Sequence, residues 1–319
     1  MESQDKLIFN TDRRFGVEIE INAFDGRSRH IGSDPDGIHY VGELIAKLFI
    51  EPVRIAKWGY EETNNNACWV VKPDASCGME ICSPICKGNH GLRKLCRLVD
   101  AINDDSKIKS DGRCSLHVHV DVSDCSEPEV ASILAHWVKC EAVFIDSVPE
   151  HRKRNRHSQF IAMMDLFEHD EELFPSLLVE ELGKTKYTTI NTYHLCRGRR
   201  DTIEYRIIEA EGCRNSTLLE NWIRLLIHFT DMAKNRPIPR SYRKNDRWSS
   251  LLLLDPMDVF EVLKFEADLS EDLERTRSWF VKRLVENCRD FNNLPEISFW
   301  SKKVRSVSIK QIEKLSKLY

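Results

Sequence analysis

No stretch of this chain approaches the ~18 consecutive uncharged apolar residues that a membrane-spanning helix needs. The opening MESQDKLIFN has no apolar core of the kind a secretory leader carries. The expectation is therefore a protein with neither signal peptide nor membrane span, working in the cytoplasm. Excess charge of one sign is missing too: 47 Lys and Arg against 51 Asp and Glu leave −4, too little to draw in a polyanion by a whole-protein field. Nucleic acid is not indicated as a partner, and the local runs Arg152–Lys153–Arg154 and Arg197–Gly198–Arg199–Arg200 are read first as solvated. Internal repeats and low-complexity tracts are absent. The 11 cysteines are odd in number and scattered, as expected of free thiols in a reducing compartment. Cys68, Cys82, Cys114 and Cys140 lie inside apolar patterns, where a thiol packs as a small hydrophobe. Cys77, Cys82 and Cys86 are close enough to raise zinc, but their spacing forms no paired CxxC knuckle.

What the chain does have is a set of strands with ionisable side chains confined to one face. FGVEIEI from Phe15, LHVHVDV from Leu116 and TIEYRII from Thr202 all alternate. Successive side chains of a strand point to opposite faces. Glu18 with Glu20, His117 with His119 and Asp121, and Glu204 with Arg206 therefore each line one side. Val17, Ile19, Ile21, Val118, Val120, Val122, Ile203, Tyr205 and Ile207 line the other. Carboxylates crowded on one sheet face repel each other unless a cation sits among them. Oxygen-rich clusters with an occasional imidazole are what Mg²⁺ or Mn²⁺ take.

The rest of the 319 residues, 41% hydrophobic, can bury a proper core. Helical spacing of Val41, Leu44, Ile45, Leu48 and Phe49 predicts a helix to about Glu51. ACWVVKPDAS and GMEICSP read as two strands joined tightly at Ser76–Cys77–Gly78. Leu92 to Ile108 is an amphipathic helix, and Glu127 to about Ser147 a long one, with Ser126 as N-cap and Pro128 in its first turn. TTINTYHL and DTIEYRIIEA flank a hairpin connection with Gly198 in the turn, followed by an apolar helix from about Thr217 to Lys234. The polar run SYRKNDRW leads into helices near Met257–Glu266, Glu271–Cys288 and Ser308–Leu318. Antiparallel hairpins with intervening helices, and no regular βαβ alternation, predict an α+β fold. The Val/Ile face packs on helices and the Glu/His/Asp/Arg face lines a cleft.

FGVEIE, WVVKPDAS with GMEICSP, CSLHVHVD, the Arg-rich segment, TINTYHL and DTIEYR, taken in this order, resemble the amidoligase family. That family belongs to the carboxylate–amine ligases, which share a catalytic fold with glutamine synthetase and γ-glutamylcysteine synthetase. The resemblance runs from Phe15 to Ala233 and is silent beyond about residue 240. It implies an antiparallel, partly barrel-like sheet over residues 1–240 with a helical extension over 241–319 packed on it. It also implies ATP and Mg²⁺ or Mn²⁺ as cofactors, and a carboxylate that is phosphorylated and then attacked by an amine. The acid and the amine (amino acid, polyamine, peptide or modified macromolecule) are left open, and a homo-oligomer is compatible with it. On this resemblance Glu18, Glu20, Glu80, His119 and Glu204 hold the metal. His117, Arg152, Arg154 and Arg206 contact the nucleotide phosphates, with Arg206 also placed for the substrate carboxylate. Asp74 and Ser76 lie beside the substrate entrance, and Asn191 matches the Asn before the last hairpin strand.

Plainer readings stand beside these. Glu18 with Glu20 alone would be a solvated strand face, and Glu204 with Arg206 an ion pair that stabilises an exposed sheet by only about 0.2–1 kcal/mol. Asp74 and Ser76 would be turn residues. Trp69, Trp137 and Trp222 are expected in the core. A metal-dependent phosphoesterase or nuclease would want a similar cluster. A catalytically dead binding module would be expected to have lost some of Glu18, Glu20, His119, Glu204 and Arg206, and all five are present.

Overall fold

Alternating Val and Ile build the sheet of one compact unit, Thr11–Asp121 with Ile208–Ile223. The structure, a computed structural model, describes residues 6–23, 35–56, 67–153, 158, 174–237 and 256–289. This unit contains β1 (Arg14–Ala23), α1 (Pro35–Leu48), β2 (Val53–Ile55), β3 (Trp69–Asp74), β4 (Gly78–Cys82), β5 (Cys86–Lys87), α2 (Gly88–Asp104), β6 (Ile108–Lys109) and β7 (Ser115–Asp121). Its strands run in the order β2-β3-β4-β1-β7, with β5 and β6 pairing with the two ends of β1. Every pairing is antiparallel except β2 with β3. Among the described residues no pairing joins β2 to β7, so the sheet of this unit is open and the expected barrel-like closure finds no support.

The Val/Ile parity holds. Val17, Ile19 and Ile21 of β1 and Val118 and Val120 of β7 are all buried. Helix α1 buries Ile38, Val41 and Ile45 and begins at Pro35, ahead of the apolar spacing that marks it in the sequence. Proline preset for the first helical turn accounts for the earlier start. Gly42 lets this helix approach β2, because a Cβ there would stand 2.7 Å from Ile55 Cδ1. Helix α2 carries a buried stripe of Leu92, Leu95, Leu98, Val99 and Ile102 but stops short of Ile108. The Asp105 carboxylate accepts the Lys107 amide at 2.8 Å in a turn, and Ile108 pairs with Ala23 as β6. The β3–β4 connection is the expected tight one, with Gly78 at φ 132 opposite Asp74.

The other unit is Met1–Asn10, Val122–Ile207 and Arg224–Tyr319. It holds α3 (Glu127–Asp146), α4 (Glu150–Lys153), α5 (Phe174–Lys184), β8 (Ile190–Asn191), β9 (Thr202–Glu209) up to Ile207, the second half of α6 (Ser216–Lys234), α7 (Pro256–Val262) and α8 (Glu271–Arg289). Ser126 and Glu129 form the capping box that starts α3, the Ser126 amide donating to Glu129 Oε2 at 2.7 Å. Trp137 is fully buried and organises the core. It stacks on Phe144 at 4.4 Å and meets Tyr205 and Phe229 edge-on at 4.9 and 5.5 Å. Trp69 and Trp222 are equally buried, as the sequence predicts. Strand β8 has only two residues where a longer one is expected. The Thr192 hydroxyl donates to Val179 O at 2.7 Å and its amide to Leu182 O at 3.3 Å, drawing the chain off toward α5. Lys264 at φ 50 ends the α7 segment ahead of Glu266. Arg154, SYRKNDRW and the helix expected over Ser308–Leu318 lie outside the described residues.

His228 of α6 gives this unit a pH dependence. It is 2% exposed and donates from Nε2 to Leu263 O at 2.7 Å, its ring parallel to Phe265. Burial, opposed by this hydrogen bond, lowers its pKa below the ordinary 6.5. Its stabilising contribution is complete above the unfolded-state value and is lost as pH falls below it, because the unfolded chain takes up the proton first. Urea unfolding at pH 7.5 and 5.5 should show the wild type losing more stability on acidification than His228→Gln. Equal losses would mean that His228 is not responsible.

Candidate functional site

Antiparallel register puts like charges opposite one another. Glu20 of β1 faces Glu80 of β4, and Glu80 faces Lys72 of β3. In the adjacent row Glu18 faces Cys82 on one side and His117 on the other. Carboxylates opposed across a ladder sit about 5 Å apart at Cβ and destabilise it unless something compensates. Here Lys72 does so in part, its Nζ 2.7 Å from Glu80 Oε1. Cys82 also donates its thiol to that oxygen at 3.0 Å.

Imidazoles and a hydroxyl tie the remaining carboxylates together. Ser115 Oγ donates to Glu20 Oε2 at 2.6 Å and lies 2.8 Å from His117 Nε2. His117 Nδ1 is 3.4 Å from Glu18 Oε2, and His119 Nε2 is 3.2 Å from Glu18 Oε1. Glu20, Glu80, His117 and His119 are each 5% exposed or less, so this polar face is buried rather than solvent-washed. Burial drives the Glu18 carboxyl up, but His119, His117 and Lys72 outweigh it and hold the group well below the usual carboxylate range. Burial and repulsion by Glu18 instead raise Glu80. Burial works against the Lys72 charge, yet Glu80, Cys82 and Glu18 keep its pKa above the ordinary value.

The β3–β4 turn borders this group. Asp74 Oδ1 accepts the Ser76 amide at 2.7 Å, the Cys77 amide at 3.3 Å and the Ser76 hydroxyl, as the plain turn reading expects. Burial raises the Asp74 carboxyl, and the Ser76 donors bring it below the ordinary value. Glu20, Asp74 and Cys77 nonetheless offer ligand atoms within 4.8 Å of one another, as do Glu18, Glu80 and Cys82. Cys77, Cys82 and Cys86 share no such group among the described residues. The Cys77 thiol is pushed up by its hydrogen bond with the Cys114 thiol and by burial, the Cys82 thiol by burial and Glu80, and that of Cys86 to about 11 by burial. Protonated thiols are poor zinc ligands. The fit is to a hard cation instead. Glu18, Glu20 and Glu80 around the single ammonium of Lys72 make a buried, oxygen-rich group, which suits one Mg²⁺ or Mn²⁺.

Asn191, Glu204 and Arg206 come together in the other unit. Arg206 Nη1 donates to Glu204 Oε1 at 2.6 Å, and Asn191 Nδ2 to Glu204 Oε2 at 3.2 Å. Glu204 and Arg206 are 3% and 7% exposed, so this is a buried, geometrically fixed pair and not the exposed ion pair of the plainer reading. A cation taken by Glu204 would compete with Arg206. Arg152 is buried, with its Nε donating to Ile207 O at 3.1 Å and its Nη2 to Arg206 O. Asp121 stays apart from the cluster of its own strand, paired with Arg14 Nε at 2.8 Å. Sequence reasoning passed over Lys72 and Ser115. The signal was present, since Ser115 has the parity of His117 and His119, and Lys72 that of Asp74.

Residues 54–230 match the model of a family described as an amidoligase enzyme, while Glu18 and Glu20 lie upstream of the matched segment. No curated protein matches the chain. Among solved structures, a bifunctional glutathione synthetase from Pasteurella multocida is similar at 10% identity and a TM-score of 0.42, over 95% of this chain and 49% of that one. The chain thus spans about half the length of that protein. No helix among the described residues is long and apolar enough to cross a membrane.

Lys72→Met should lower stability without divalent cations by up to about 3 kcal/mol, because it removes one partner of a largely buried ion pair. It should also enlarge the gain in thermal midpoint on adding Mg²⁺ or Mn²⁺. Midpoints in EDTA and in each cation measure both effects. A variant that responds to cations no more than wild type would contradict a cation site beside Glu80.

Proposed function

From the premise that the chain belongs to the amidoligase family, we propose that it is an ATP-dependent ligase joining a carboxylate to an amine through an acyl phosphate. The observation that carries this reading is the buried group of Glu18, Glu20 and Glu80 with His117 and His119, three carboxylates beside one ammonium, an oxygen-rich set that fits a divalent cation. A cation held there by Glu18, Glu20 and Glu80 with His119 would neutralise a triphosphate that these carboxylates otherwise repel.

Amide formation from a carboxylate needs a leaving group. A carboxylate oxygen of the acid takes the γ-phosphoryl of ATP, releasing ADP. The amine then attacks the acyl carbon, releasing phosphate and the amine proton. Charge on the transferring phosphoryl calls for preorganised cationic donors. Arg206, fixed by Glu204, is our candidate for that group or for the substrate carboxylate, since its planar fork suits either. Asp74 and Ser76, in the turn bordering Glu20, are proposed to orient the incoming substrate. His117, between Glu18 and Ser115, is assigned to holding the carboxylates in place for the nucleotide. Glu204 is kept as a further metal ligand and Asn191 as its support.

The test combines binding and trapping. Calorimetry should give ATP affinity with Mg²⁺ and none in EDTA. With hydroxylamine replacing the amine, pooled acids should yield a hydroxamate together with ADP. Hydrolysis of phosphate esters without ATP, and no hydroxamate with any acid, would make the protein a phosphoesterase instead. Glu18→Gln and Glu20→Gln should abolish the product while keeping the fold, and normal turnover in both would remove these residues from the site.

A further inference from the structure

Arg152 lies on α4, 3% exposed, and its guanidinium faces the backbone of β9. Nε donates to Ile207 O at 3.1 Å while Nη2 donates to Arg206 O. Consecutive carbonyls of a regular strand point to opposite edges. One fork nevertheless reaches both the Arg206 and the Ile207 carbonyls and ties the backbone of β9 at two successive residues. The Arg206 amide is held as well, donating to Thr189 O at 2.8 Å. Thr189 is itself tied to α3, its hydroxyl donating to Glu141 and accepting from Trp137 Nε1 at 3.0 Å. With the side chain bound to Glu204, Arg206 is fixed at its amide, its carbonyl and its guanidinium.

We infer that Arg152 is a positioning residue, a buried clamp that sets the backbone of Arg206 so that its guanidinium is presented in a single orientation. The inference rests on the role proposed for Arg206. It differs from the sequence expectation that Arg152 itself contacts phosphate, which would turn the fork toward ligand and not toward main-chain carbonyls. An ammonium at this position is a single point of charge and cannot span two carbonyls as the guanidinium does.

Arg152→Lys and Arg152→Gln test the clamp. Purified variants are compared with wild type by phenylglyoxal labelling of Arg206, by hydrogen exchange of the peptide covering 202–209, and by calorimetry with ATP and Mg²⁺. Arg206 labelling and exchange should rise severalfold in a variant that still unfolds cooperatively, with ATP affinity within about twofold of wild type. Once an acid is identified, turnover to hydroxamate should fall on the order of 10- to 100-fold with KM for ATP unmoved, the mark of a misplaced group. Unchanged labelling and exchange would overturn the clamp. So would a loss of ATP affinity with Arg206 labelling unaltered, which would make Arg152 a phosphate contact. Wild type that binds no ATP would retire the ligase reading, while labelling and exchange would still decide whether Arg152 holds Arg206. If Arg152→Lys does not fold, Arg152→Gln, which keeps one planar donor group, is read in the same way.

Discussion

Two carboxylates facing each other across a β-ladder are a liability that a sheet tolerates only with compensation. In this protein Glu20 and Glu80 are such a pair, and the residues around them are best understood as the response. Lys72 extends the row on the far side of Glu80, Ser115 donates to Glu20, and the two histidines of β7 close on Glu18. The result is divided. Glu18 is held ionised while Glu80 is driven the other way by burial and by Glu18. A group built only for stability would replace such carboxylates with apolar side chains of similar volume, since buried ion pairs rarely gain more than they cost in desolvation. Retaining three of them against one ammonium is the physical ground for expecting a cation.

Arg206 poses the opposite problem, a buried cation that has to be kept in one geometry. Glu204 supplies the counter-charge and Asn191 steadies Glu204. The backbone of Arg206 is tied through Thr189 to the helix carrying Trp137, the centre of that unit's aromatic core. The guanidinium is therefore carried on a backbone tied to the closely packed aromatic core of its unit, the kind of arrangement that preorganised electrostatics would require.

Much of this was legible in the sequence because strand alternation is a strict rule. Period two alone separates Glu18 and Glu20 from Val17, Ile19 and Ile21, and His117 and His119 from Val118 and Val120, and all of these apolar residues are buried. Ser126 with Glu129 announces the start of α3 by capping chemistry that is local. The family assignment likewise follows from the order of short motifs. The boundaries that were missed depend on contacts distant in sequence. Strand β8 ends early because Thr192 bonds to Val179 and Leu182, and Ile108 leaves α2 to pair with Ala23.

The sequence by itself determined the α+β class, the faces of the strands and the residue types available for catalysis, because these depend on period, propensity and charge within a few positions. Tertiary structure alone decided which charges meet. It set Lys72 against Glu80 and Ser115 between Glu20 and His117. It turned Arg152 toward the carbonyls of β9 and left Asp121 paired with Arg14. Partner choice for a long ionic side chain is fixed by register and by what else is buried within a few ångströms, and neither quantity is written in the local sequence.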